Sequence, residues 1–216
     1  MKKQPRTNFD KLCKLDAVSN DENWQLKYIF FEDGYVYAAN RVIAIRANLK
    51  DISSLSDDSI RNLNGKIISA DDYKDLLGYD SVEVSDYMDC KTFSNSIYEK
   101  VVHSKMIYFV DDVRTSNYDE ICRFRSIMLD TFKNTLANEK KQANNGIFCL
   151  NPYRLKKLID AIGYLGGFAF YNIHCDMDEN VLVVPCKSFD EAYDVVAIVK
   201  PMLLCEQVTD SIKSID

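Results

Sequence analysis

From Leu26 to Leu49 the chain reads LKYIFFEDGYVYAANRVIAIRANL, a run of β-branched and aromatic positions interrupted twice by polar residues. Leu26, Tyr28 and Phe30 alternate with Lys27, Ile29 and Phe31 ahead of Asp33-Gly34, and Tyr35, Val36 and Tyr37 resume the pattern. An Asp-Gly pair between two such runs predicts a hairpin, because both central residues of the tight turn need positive φ. Asn40-Arg41 breaks the run again and Val42 to Ile45 begins another strand. The segment therefore predicts an antiparallel β-meander.

Helical spacing flanks this meander. Phe9, Leu12, Leu15 and Val18 recur every third residue and predict a helix over Asn8 to Val18. Gly65 to Ala70 predicts a short strand that runs straight into a helix over Asp71 to Leu77, and Asp80 to Val84 alternates as a strand. Lys50 to Asn64 is rich in Ser, Asp and Asn and reads as an exposed connection. Residues 87–97 read as irregular and polar, and Val101 to Val110 as one or two strands.

The longest helix expected covers Tyr118 to Ala143, where Ile121, Phe124, Ile127, Met128, Phe132 and Leu136 fall mostly at spacings of three and four. Asp119 and Glu120 at its start and Lys140-Lys141 at its end suit the helix dipole. Ile147 to Leu150 then reads as a strand, and Asn151 with Pro152 opens a helix whose stripe is Leu155, Leu158, Ile159 and Ile162. Gly163 and Gly166-Gly167 end it, and Phe168 to His174, Val181 to Pro185 and Tyr193 to Val199 read as strands. Residues 146–204 thus follow the order strand, helix, three strands, the same half-domain unit expected for residues 8–49.

A chain of 216 residues suffices for one large or two small domains. The expected division is 1–115 and 116–216, the second part headed by the helix over 118–143. No apolar run approaches the length of a membrane span, and the basic N-terminus MKKQPRTNFDKL lacks an apolar signal core, so a cytoplasmic protein without a membrane partner is expected. Seven scattered Cys with no Cys-x-x-Cys predict reduced, mostly buried thiols. The net charge of −6 argues against a generic nucleic-acid coat, although a basic stripe can lie on an acidic body.

Catalytic chemistry finds little support. Of the two His, His103 reads as a structural strand residue. His174-Cys175 precedes Asp176, Asp178 and Glu179, but adjacent strand residues point to opposite faces and would not converge on one ion. No nucleophile elbow, phosphate loop or dinucleotide fingerprint is present in the sequence. The expectation is a protein that is not an enzyme, with no catalytic residue, no metal and no cofactor.

The segment EDGYVYAANRVIAIRANL resembles the first-domain meander of bacterial sliding clamps, the beta subunit of DNA polymerase III. The Gly65-started strand, the helix with Leu76-Leu77 and the strand over Asp80 to Val84 are similar to the next elements of that family, so the resemblance covers roughly residues 8–86. Asn40-Arg41 stands where the family usually has Thr-Asp, the helix over 118–143 has no counterpart, and the chain is one unit short. The resemblance implies an α+β, DNA-clamp-like fold of antiparallel meanders with helices on one face, in repeated strand-helix-three-strand units.

It also implies a non-catalytic, DNA-associated processivity or accessory factor. Such a protein meets double-stranded DNA through basic helix faces, works with replication or repair proteins, and closes a ring only as a homo-oligomer. The positions that would meet phosphate are Lys11 and Lys14 on the first helix, Lys74, and Arg154, Lys156 and Lys157 on the later helix. Arg154 and Lys156 flank the apolar stripe there and Lys157 lies opposite it. Asp71, Asp72 and Asp75 around Lys74 count against a DNA face at that helix. The alternative is a clamp-fold protein-interaction or structural module without DNA binding.

Overall fold

The computed structural model describes residues 14–19, 26–53, 55–76, 81–84, 90–95, 103–110, 115–137, 141–142, 149–175, 178–186 and 191–202. The meander is formed by β1 (Tyr28–Glu32), β2 (Tyr35–Ala39) and β3 (Ile43–Asn48). Asp33 and Gly34 take φ of 49° and 80°, the pair of positive values that a two-residue hairpin turn demands. At the second turn the Asn40 side-chain oxygen accepts from the Val42 and Ile43 amides, each at 2.8 Å, so one side chain closes the bend.

β4 (Ile67–Ser69) adds outside β1, and Val110 donates its amide to Ile67 along the outer side of β4. On the other side, β3 pairs with β11 (Val195–Val199), followed by β10 (Asp178–Cys186), β9 (Gly167–Cys175) and the two-residue β8 (Lys141–Gln142). The order β4-β1-β2-β3-β11-β10-β9-β8 is one antiparallel sheet in which strands from both ends of the chain meet at β3 and β11. A second, three-stranded sheet holds β5 (Ser81–Val84), β6 (Cys90–Asn95) and β7 (His103–Tyr108). β6 lies in the stretch expected to be irregular. Its composition is polar, and pairing on both sides makes it a strand.

β11 reads VVAIV and is buried on both faces, so the large sheet needs cover on each. One face carries Ile29, Phe31, Ile43, Ile45, Val181, Val183, Val195 and Ala197. It packs against Leu15 and Val18 at α1 (Asp16–Ser19) and Leu158, Ala161 and Ile162 of α6 (Pro152–Ile162). The opposite face, with Phe30, Tyr37, Leu182, Val196 and Ile198, is covered by Ile121, Met128 and Phe132 of α5 (Tyr118–Ala137). The molecule is therefore α+β, but its helices flank both faces of the sheet and not one. The cause is the two-sided apolar composition of β1, β10 and β11.

α5 is shorter than the expected 118–143: it ends at Ala137, and Lys141–Gln142 pairs with β9 instead. Its apolar stripe stops at Leu136, so packing gives no reason to extend the helix. Ile127 is turned outward and Thr135 inward. The connection after β3 also departs from expectation. It contains α2 (Leu49–Ile52), capped by Asn48, and α3 (Asp57–Leu63), capped by Ser56. The Ser and Asn residues that read as loop are partly helix caps, and Leu49, Ile52, Leu55, Ile60 and Leu63 between them are buried.

Candidate nucleic-acid interface

α4 (Ala70–Leu76) follows β4 directly, with Ser69 at its head: the Asp72 amide donates to Ser69 Oγ at 3.1 Å and the hydroxyl donates to Asp72 Oδ2 at 2.8 Å. α1 packs against both α4 and α6, so the three helices lie in one layer; Lys14, expected on the first helix, instead lies in the stretch just before α1. Lys14 is tied to α6 through its backbone, its N–H donating to the Ala161 carbonyl at 3.0 Å. The buried face of α6 is formed by Leu158, Ala161 and Ile162. Ile159, expected in the stripe, is 47% exposed as a result.

The rotation of α6 sorts its three candidates. Arg154 turns half inward, and its Nη1 donates to the carbonyls of Lys200 at 2.6 Å and Pro201 at 3.3 Å. It ties the chain leaving β11 to the helix. Lys156 lies mid-face in solvent, with its ammonium 2.5 Å from Asp160 Oδ2. That hydrogen bond, with the charge of Asp160, raises the Lys156 pKa. Lys157 places its ammonium over the Tyr153 ring, 5.3 Å from the centroid.

Lys14 and Lys74 are exposed and both act on Asp16. Burial pushes the Asp16 carboxyl above the ordinary aspartate value, its own backbone N–H and the two lysines oppose that rise, and Asp71 adds to it. Asp16 Oδ1 is buried without a hydrogen-bond partner among the described residues. Lys11 lies outside the described residues. The layer thus gathers Lys14, Lys74, Lys156 and Lys157, interleaved with Asp16, Asp71 and Asp160.

The structure adds a second polar constellation that the sequence pattern does not announce. At the end of the sheet where β2 starts, Asp194 Oδ2 accepts from the Tyr35 hydroxyl at 2.6 Å and the Asn48 amide at 3.0 Å, and Oδ1 accepts from Arg46 at 3.2 Å. The Asp194 amide donates to Asp51 Oδ2 at 2.7 Å, and the Arg46 guanidinium lies 4.4 Å from the centre of the Tyr35 ring. Arg46 and Asn48 alternate on one face of β3, which is legible in the sequence. Asp194 lies 146 residues beyond Asn48, and no local signal links them. Beside this cluster an open cleft of about 590 Å³ is lined by Asp33, Gly34, Lys50, Asp57, Ile60, Arg61 and Asn64. Of its charges Lys50 pairs with Asp57 at 2.8 Å, and Arg61 pairs with Asp58 outside the lining.

Among the described residues no group of three or more His, Cys, Asp or Glu side chains is placed to hold a metal ion. His103 falls in β7, and His174 and Cys175 end β9 at adjacent positions. No helix among the described residues is long and apolar enough to cross a membrane. No model of a protein family matches the chain, and no curated protein matches it.

Proposed function

We propose that this chain is a non-catalytic, DNA-clamp-like protein, a processivity or accessory factor that meets duplex DNA through the α4-α1-α6 helix layer. The observation that carries the reading is the pairing of α1 with α6 on one face of a sheet built from both ends of the chain. Four exposed or half-exposed lysines lie on that layer, and such groups contact phosphate without reading bases. On this reading each helix heads a group of three strands, α4 before β5 to β7 in the small sheet and α6 before β9 to β11 in the large one.

On this reading the protein works in the cytoplasm with replication or repair proteins, and a closed ring requires a homo-oligomer. Titration of duplex DNA at several salt concentrations tests it. Binding should weaken with salt on a log-log slope of a few units, as a handful of neutralised phosphates requires. Lys14→Glu combined with Lys156→Glu should abolish it. A folded protein that ignores duplex DNA at low salt would sink the proposal. The interleaved Asp16, Asp71 and Asp160 favour the second reading, a clamp-fold protein-interaction module. That module would ignore DNA at every salt concentration.

A further inference from the structure

The chain carries an aromatic side chain where a duplex-only interface has no use for one. Tyr153 is 66% exposed, the highest of the exposed large apolar residues described, although it lies in the first turn of α6. Its backbone explains its place: the amide donates to the Asn151 cap at 2.8 Å, and Pro152 sets the start of the helix. Neither requirement explains the ring, since a cap bond needs only the main chain. The ring is held by Lys157, one turn on, whose ammonium sits 5.3 Å from the centroid. Lys156 stands between them in sequence and projects from the same exposed side.

We propose that Tyr153 is a stacking platform for an unpaired nucleobase, with Lys157 meeting the adjoining phosphate, so that the α6 face takes single-stranded nucleic acid at the end of a duplex. The inference rests on the DNA-contact reading of the same helix layer. A base in a duplex is stacked on both sides and offers Tyr153 no π-face, whereas an unpaired base offers one in any sequence. A lysine already held over an aromatic ring keeps its charge within reach of a phosphate on a stacked nucleotide. Exposure of the ring then has a purpose, as does the pairing at one-turn spacing.

The test uses the full chain with fluorescent oligo-dT, a blunt duplex and a duplex with a single-stranded overhang. Tyr153→Ala should weaken oligo-dT and overhang binding by roughly five- to a hundred-fold, the range for loss of one base-aromatic stack. Tyr153→Phe should retain it, because stacking needs the ring and not the hydroxyl. Blunt-duplex affinity should hardly change in either variant, while Lys157→Ala should weaken all three probes. Duplex binding with Tyr153→Ala neutral on oligo-dT overturns the platform and leaves the duplex reading intact. A chain that binds none of the probes overturns both.

Discussion

Tyr35 gives its hydroxyl hydrogen to Asp194 Oδ2 at 2.6 Å, joining the second strand of the chain to the start of β11. With Asn48 and Arg46 on the same carboxylate, the contact fastens the central β3-β11 seam at one end. Burial by itself would raise the Asp194 pKa. The hydrogen bonds from Asn48 and Tyr35, and then Arg46, outweigh it and hold the carboxyl below its ordinary value.

The seam should therefore loosen when the carboxylate goes. Asp194→Ala leaves the Arg46 guanidinium without that partner and should cost about 1–2 kcal/mol, less than a fully buried charge because the site is partly wet. Tyr35→Phe should cost about 0.5–1.5 kcal/mol. The double variant should cost less than the sum, since both remove one network. Urea denaturation measures all three. The sign with pH comes from a depressed folded-state pKa: the contribution is present above 3.8, the ordinary value, and is lost as pH falls through the lower folded value.

Gly166 is required by geometry. Its φ is 129°, and a Cβ there would lie 2.3 Å from the Cys186 carbonyl oxygen, a backbone atom that cannot swing aside. Gly166→Ala should destabilise by about 1–3 kcal/mol or more from strain and overlap together. Gly167→Ala is the control, because an added Cβ at that position meets nothing within 4 Å. Thermal unfolding of the two variants should separate them clearly. Equal midpoints would show that the helix-to-β9 corner relaxes freely.

These sites show which parts of the fold can be read from the chain alone. The Asp33-Gly34 turn and the α6 cap are legible because each is decided within a few residues. The layering of the sheet is not. β11 is five consecutive apolar residues, and such a run says buried without saying what buries it. The β3-β11 pairing joins the two halves into one sheet, and the residues of β1, β2, β10 and β11 that face away from α6 together meet α5. The same limit hides Asp194. For the candidate interface, the apolar spacing places Lys156 and Lys157 on a helix. It does not show that the Ala161 carbonyl accepts from the Lys14 backbone N–H, or that Arg154 reaches the Lys200 and Pro201 carbonyls.

Asp16 should reward substitution. Its carboxyl is half-buried, Oδ1 has no hydrogen-bond partner among the described residues, and burial raises its pKa. A raised carboxyl pKa means that the folded state binds the proton more tightly than the unfolded chain. The ionised group therefore costs stability above the folded value, and the cost disappears as pH falls through 3.8, the ordinary aspartate value. Asp16→Asn should raise the urea midpoint at neutral pH, and the gain should shrink towards that acidic limit. A gain that does not change with pH would mean that packing, and not charge, is responsible. Lower stability at neutral pH would show that the lysines dominate.

Asp160 gives the sharpest test of charge on α6. Its carboxylate holds Lys156 at 2.5 Å, in a pair too exposed to contribute much to stability. Asp160→Asn removes one negative charge from the layer and frees an ammonium for phosphate, with little effect expected on folding. Duplex affinity should rise, and the slope of log affinity against log salt should steepen by about one unit if Lys156 gains a phosphate contact. Lys156→Gln in the same background should cancel that gain and bring the slope to its starting value or below it. The pair of variants reports on the α6 face alone. A slope unmoved by both, in a protein that still binds duplex DNA, would place the phosphate contacts on another surface.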